Sequence, residues 1–282
     1  DSYRYIDGRR FHMDENVKYL YPNDEEEIER LENQYYLLKE KWNATFLSPV
    51  APKLLAGGKV LDIGCGTGTW ILDLATEYKT TTFIGLDISQ IFPQTVKPRN
   101  VSFIKYNVLD GLPFPDDCFD FVNQSFLASA FTVSQWPTIL NEIIRVTKPG
   151  GWIEFLEGDS IVYNKGPVIQ RLDASMTNFL ISQGLSPNVN KILPELLNSS
   201  DKIIDVRYDE KTLPLGIWGG RLGSVTLEVF MIELRAIRNR IQSEMGISNE
   251  HYDALMEAFV VEVNKFKSYI KPFRFYAQKR NF

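Results

Sequence analysis

One stretch of nine residues carries the clearest chemical pattern in the chain: Val60-Leu61-Asp62-Ile63-Gly64-Cys65-Gly66-Thr67-Gly68. Its apolar half, Lys59–Ile63, reads as a strand. Helical spacing starts near Trp70, so the glycines lie on a strand-to-helix turn. Glycine lets the backbone turn sharply and lets a ligand come close, and the amides at the helix start then face that ligand. A dinucleotide loop would read G-x-G-x-x-G. Here the third glycine, Gly68, comes one residue early and Thr69 stands at the dinucleotide position. A phosphate loop would end in Gly-Lys-Ser/Thr, which is absent. Asp62, just before the loop, would repel a pyrophosphate and would favour a cationic ligand. Asp87 ends the next strand, in Gly85-Leu86-Asp87-Ile88, and lies 19 residues beyond Gly68. A carboxylate there can accept hydrogen bonds from both hydroxyls of a ribose. The combination asks for a nucleoside that bears positive charge and needs no phosphate.

The surrounding elements can position such a site. After Lys59–Ile63 and a helix from about Trp70 to Tyr78, strands follow at Thr81–Leu86, Val101–Tyr106 and Phe119–Asn123. A helix over Ser134–Thr147, with Ser134 as its cap, buries Ile139, Ile143 and Val146. Lys148-Pro149-Gly150-Gly151 reads as a turn that stops it, and Trp152–Leu156 as the next strand. Alternation of this kind gives an α/β fold with a parallel sheet and helices on both faces. Upstream, Asn23 is placed to cap a helix, with Glu26 three residues on. Ile28, Leu31, Tyr35, Leu38 and Trp42 form its apolar stripe. Beyond Gly158 the alternation ends. Residues 166–198 read as helical with breaks at Pro187 and Pro194. Ile203–Leu213 reads as a strand, Val225–Ile241 and His251–Phe266 as helices, and Phe273–Ala277 as a last strand.

Composition narrows the function classes. The chain has 282 residues, 44% hydrophobic and 24% charged, so disorder as the main state is excluded. A net charge of −5 argues against a dedicated nucleic-acid binder, which needs a basic face. No apolar run approaches the ~20 residues of a membrane helix. Asp1-Ser2-Tyr3-Arg4 does not read as a signal peptide, and without an initiator Met the natural start is expected upstream. Cys65 and Cys118 read as free thiols in a reducing compartment, cytoplasmic or nuclear. His12 and His251 are the two histidines, and no His/Cys spacing fits zinc. No metal site is assigned, although carboxylate-bound magnesium stays open.

These residues together resemble a class I S-adenosylmethionine-dependent methyltransferase. The glycine loop with its leading Asp62 is similar to that family's first motif, and Asp87 to its acidic ribose residue. Asn107-Val108 stand where such enzymes hold adenine. Leu112-Pro113-Phe114-Pro115-Asp116 with Phe119-Asp120 resembles the approach to the fourth strand, and Lys148–Gly151 the turn before the fifth. A closer resemblance is to the fungal LaeA-type methyltransferases. It is carried by Tyr21-Pro22-Asn23-Asp24-Glu25-Glu26-Glu27 with Arg30-Leu31, by Ser134-Gln135-Trp136-Pro137, by Pro149–Glu154 and by Leu215-Gly216-Ile217-Trp218. Two departures are Cys65 and Asn107, where Thr and Asp are common. The Asn107 amide oxygen can still meet an adenine amino group.

The resemblance implies a Rossmann-like doubly wound sheet with an antiparallel last strand and a helical cap. It implies one domain over 1–282, with a lid segment at 1–45, a cofactor-binding core at 46–158, and cap helices and final strands at 159–282. It implies S-adenosylmethionine as cofactor, held by Asp62, Gly64, Cys65, Gly66, Thr67, Gly68, Asp87, Ile88, Asn107, Val108, Gln124 and Ser125. The implied activity is methyl transfer to a small organic acceptor in secondary metabolism. The alternative is a LaeA-like regulator that binds the cofactor and works through protein partners or methylates a protein. No catalytic residue is assigned. Glu157 and Asp159 follow the fifth strand and could act as a base, but solvated loop carboxylates would occur at the same place. His12 and His251 carry weaker claims. Arg235, Arg238 and Arg240 read as a solvated helix face. Tyr3, Tyr5, Phe11, Tyr163, Phe179, Trp218 and Phe230 are aromatics of the lid and cap that could line an acceptor pocket. An enclosed aromatic cavity would favour a small acceptor, an open groove a protein, and an exposed apolar patch beside a blocked exit the regulator.

Overall fold

A computed structural model describes residues 3–6, 8–12, 19–159 and 161–281. A short hairpin, β1 (Tyr3–Ile6) and β2 (Arg9–His12), precedes α1 (Glu25–Trp42) and α2 (Ala51–Leu55). The sheet then begins with β3 (Lys59–Ile63), α3 (Thr69–Glu77), β4 (Thr82–Asp87), β5 (Val101–Lys105), β6 (Phe119–Ser125), α4 (Trp136–Val146) and β7 (Thr147–Gly158). The rest comprises α5 (Pro167–Ser182), α6 (Val189–Ser199), β8 (Ile203–Glu210), β9 (Leu213–Pro214), α7 (Gly220–Ala236), α8 (Arg238–Met245), α9 (Asn249–Lys265), β10 (Tyr269–Ile270) and β11 (Pro272–Lys279).

Seven strands pair in the order β5-β4-β3-β6-β7-β11-β8. The first five run parallel, and β11 is antiparallel to both β7 and β8. From β3 the chain winds outward through β4 to β5, then returns to β6 on the other side. The order therefore reverses between β3 and β6, and ligands of such sheets bind beyond the strand ends at that switch point. β3 is buried over its last four residues because helices cover both faces of a central parallel strand.

Register decides which side chains share a face. Asp62 pairs with Gly85 and Asn123, and Asn123 with Glu154. Ile63, Gln124 and Phe155 form the neighbouring row, so they point to the opposite face. Val122, Phe155, Phe273 and Phe275 there pack with Ile139, Ile143 and Val146 of α4. Val60, Phe83 and Phe121 pack with Ile71 and Leu74 of α3 on the Asp62 side. A separate cluster, including Ile169, Leu172, Leu234, Tyr252, Phe259 and Val263, holds the cap helices together.

Several local readings need correction. Asp24, not Asn23, caps α1: its carboxylate accepts from the Glu27 amide at 3.2 Å, while Asn23 is taken by the Arg10 guanidinium at 3.1 Å. The buried face of α1 is Glu27, Arg30, Leu37, Leu38 and Trp42. Ile28, Leu31 and Tyr35 are only half-buried. Ser134 does not cap α4, because its hydroxyl pairs with Thr132, and the helix starts at Trp136 with Pro137 in its first turn. Lys148–Gly151 is no turn. It is the irregular start of β7, bulging opposite Asp120, with Gly150 at φ 75°. Pro194 sits inside α6 without ending it. The two expected C-terminal helices are three, because the chain breaks at Ile237 between α7 and α8. Arg240 leaves the solvated face, donating to the Leu20 carbonyl and lying over the Phe11 ring. No helix among the described residues is long and apolar enough to cross a membrane.

Candidate functional site

Gly64 and Gly66 turn the chain off β3 with φ of 67° and 52°. The amides of Gly64 and Cys65 donate to the Leu86 carbonyl at 2.7 and 3.1 Å, tying the loop to the end of β4. That brings Asp87 to the loop: its carboxylate accepts from the Gly66 amide at 2.8 Å and from the Ser89 amide at 2.6 Å. Each oxygen has one such donor, so further lone pairs remain for a ligand. Burial pushes the Asp87 carboxyl up to about 6, against the pull of those two amides. Asp62 is 3% exposed and accepts from the Asn123 amide at 2.8 Å. Burial pushes it up to about 7, and the nearby Asp87 charge adds to that.

A cavity of about 170 Å³ opens between these two carboxylates. Of the residues singled out by sequence, Asp62, Gly64, Cys65, Gly66, Thr67, Asp87, Ile88, Asn107, Val108 and Ser125 line it. Gly68 and Gln124 do not. Gly68 serves packing: it has φ 75°, and a Cβ there would lie 2.4 Å from the Phe103 ring. Gln124 sits on the opposite face of β6 beside Glu157. The Asn107 amide oxygen already accepts from the Leu109 amide at 3.0 Å, capping a single turn at Val108–Asp110. Cys65 and Cys118 are free, and burial pushes the Cys65 thiol well up. Tyr19, Leu31, Gln34 and Tyr35 roof the cavity, which explains why the α1 stripe is not fully buried.

Sequence reasoning missed Arg274, which also lines this cavity. It is 3% exposed, donates to Glu154 at 2.5 Å and to the Thr45 carbonyl at 3.0 Å, and stacks on Trp42. Its Nε is buried without a partner. Glu154 also accepts from the Ser48 amide and hydroxyl at 2.8 and 2.7 Å, pinning the segment after α1 onto the sheet. A lone cation within Phe273-Arg274-Phe275 was the available signal.

A second cavity, of about 200 Å³, shares Tyr19, Gln34, Leu38 and Phe126 with the first. Glu157 and Asp159 line this one. Glu157 is no solvated loop residue: it is 1% exposed in β7 and accepts from the Leu127 and Ala128 amides at 2.9 and 3.3 Å. Burial pushes it up to about 8 and Asp159 up to about 6. Of the seven lid and cap aromatics, Phe230 alone lines it among the described residues. Tyr163 instead stacks on Tyr269, and Tyr5 is exposed. The His12 side chain lies outside the described residues. His251 is exposed at the start of α9, paired with Ser248. No group of three or more His, Cys, Asp or Glu among the described residues could hold a metal ion.

Residues 60–151 match a family model described as a methyltransferase domain. Methyltransferase pytC of Aspergillus terreus is 32% identical over 169 residues, which is 58% of this chain and 49% of that protein. Secondary metabolism regulator LAE1 of Cochliobolus heterostrophus is 29% identical over 155 residues, 54% of this chain and 50% of that one. N-methyltransferase gliN of Aspergillus fumigatus is 24% identical over 262 residues, 86% of this chain and 90% of that one. The chain thus spans about half the length of the curated relatives it matches first.

Proposed function

We propose, from the match of residues 60–151 to a methyltransferase domain, that the chain binds S-adenosylmethionine in the first cavity and methylates a small organic acceptor. The observation that carries this reading is Asp87. Its carboxylate is held at the switch point by the Gly66 and Ser89 amides, across a cavity from buried Asp62. The donor set fits the cofactor. Asp87 would take the ribose hydroxyls. Asp62, buried with no cation among its hydrogen-bond partners, would face the positive charge. The orphaned Arg274 Nε would meet a carboxylate. Ile88 and Val108, which also line the cavity, would flank the flat ring.

The cofactor supplies a methyl group already activated by a sulfonium charge. The chain's own residues then have to bind, orient and exclude water. The α1 roof of Leu31, Gln34 and Tyr35 covers the site, and Tyr19, Leu38 and Phe126 separate it from the second cavity. That second, apolar-walled cavity favours a small acceptor over a protein. The similarity to LAE1 supports a setting in secondary metabolism and keeps a regulatory role as the second reading. We read residues 1–45 as lid, 46–158 as cofactor core and 159–282 as cap of one domain, and the free thiols as fitting the cytoplasm or nucleus.

Thermal denaturation with S-adenosylmethionine and S-adenosylhomocysteine tests the binding. Ligand at 100 times its Kd adds about 2.7 kcal/mol, or roughly 5–10 °C at 2–4 °C per kcal/mol. The rise should vanish in Asp87→Ala and shrink in Asp87→Asn. A folded wild-type chain that shows no rise refutes the proposal.

A further inference from the structure

The second cavity lies between the end of β7 and helices α5, α7 and α9, and its walls are largely apolar, with Leu172, Met176, Val229, Phe230 and Phe259. The charges that face it are unevenly matched. Arg30 is engaged by Glu27 at 2.6 Å and lies over the Tyr21 ring. Lys271 is bound to Glu210 at 2.7 Å and lies over Tyr163. Asp173 is paired with Lys165 at 2.6 Å, and Glu233 accepts from the Tyr21 hydroxyl. Glu157 has both oxygens on backbone amides. Asp159 differs from all of these. One oxygen accepts from the Asn190 amide at 2.6 Å, and the other, Oδ1, is buried with no donor. A carboxylate oxygen sealed from water and left without a donor is costly, and a ligand that supplies an N–H relieves the cost.

We propose that this cavity is the second-substrate chamber and that it takes a hydrophobic amine, its nitrogen held by Asp159 at the end of β7. The proposal rests on the methyltransferase reading above, since Tyr19, Gln34, Leu38 and Phe126 form the common wall between the two cavities. An acid of the same shape would meet Asp159, Asp173 and Glu233 with like charge. An alcohol would donate one hydrogen bond to the carboxylate but bring no positive charge, so it would lack the ion-pair attraction of an ammonium group.

The test uses the full chain saturated with S-adenosylhomocysteine and three probes of one skeleton: 3-phenylpropylamine, 3-phenylpropanol and 3-phenylpropionate. Binding is read by calorimetry. The amine should bind about tenfold or more tightly than the alcohol, and the acid should not bind. Asp159→Asn should weaken the amine about tenfold, the loss expected for one charged hydrogen bond. S-adenosylhomocysteine affinity should stay unchanged in that variant, which also reports that it folds. Equal binding of amine and alcohol, a preference for the acid, or an unaltered amine affinity in Asp159→Asn overturns the proposal. If Asp159→Asn does not fold, the probe series on the wild-type chain decides alone. Failure of S-adenosylhomocysteine to bind the wild-type chain refutes the methyltransferase reading instead.

Discussion

Gly66 and Gly68 belong to one short motif, yet the structure gives them different work, and alanine separates the two. Both adopt positive φ, 52° at Gly66 and 75° at Gly68. A side chain in that region costs about 1–2 kcal/mol. At Gly66 nothing else follows for the folded chain, because an added Cβ would meet only the Leu31 side chain at 3.7 Å. At Gly68 the Cβ would lie 2.4 and 2.6 Å from two atoms of the Phe103 ring. Phe103 is stacked on Phe92 with ring centroids 4.9 Å apart, so it cannot retreat freely. Overpacking of that kind adds about 1–3 kcal/mol. Gly68→Ala should therefore lose about 2–5 kcal/mol, or roughly 4–20 °C in Tm. Gly66→Ala should lose about 1–2 kcal/mol, or roughly 2–8 °C, but project a methyl group into the cavity where the ligand must approach. Its S-adenosylhomocysteine affinity should fall about tenfold or more, equivalent to about 1.4 kcal/mol. Circular dichroism melts without ligand and calorimetric titration of each folded variant provide the readouts. A Gly66→Ala variant as unstable as Gly68→Ala, or one that binds S-adenosylhomocysteine as tightly as wild type, would refute this division of roles.

Three further outcomes follow from buried charges. Arg274→Met leaves Glu154 buried without its cation, which should cost about 3–5 kcal/mol in urea denaturation; a loss under about 1 kcal/mol would contradict the role given to the pair. Burial raises the Glu157 carboxyl from its ordinary range to about 8, so the folded state holds a proton that the unfolded chain has released. Stability from this group is therefore full below about pH 4.5 and declines as pH rises to about 8. The decline is at most about 3–4 kcal/mol by pH 7, at about 1.4 kcal/mol per unit; Glu157→Gln should flatten it, and denaturant midpoints at pH 5, 7 and 8.5 decide. Asp87 and Asp62 are raised to about 6 and about 7, so S-adenosylmethionine affinity should weaken as pH falls from 7.5 to 5.5, and a flat profile would contradict ionised carboxylates in the site.

What could be read before the structure was local. The glycine loop, Asp62 and Asp87 lie within one strand-turn-helix unit and the end of the next strand, where spacing alone reports geometry. Gln124 shows the limit of such reading: it adjoins Ser125, but the two-residue period of β6 puts it in the row of Ile63 and Phe155, away from the cavity. Gly68 follows the motif for a steric reason set by Phe103, a residue on β5. Arg274 and Glu154 stand 120 positions apart, and only the antiparallel pairing of β11 with β7 brings them together. Glu157 looked like a loop carboxylate because β7 runs on to Gly158, beyond the apolar run that marks it in sequence. Asp24 displaced Asn23 as helix cap because Arg10 occupies the asparagine, a contact no helix rule contains.

The most direct test of the central claim is a crystal structure of the chain with S-adenosylhomocysteine. The ligand is expected beyond the ends of β3 and β4, with both ribose hydroxyls on the Asp87 carboxylate. Density elsewhere on the chain, or a ligand whose ribose does not touch Asp87, would contradict it.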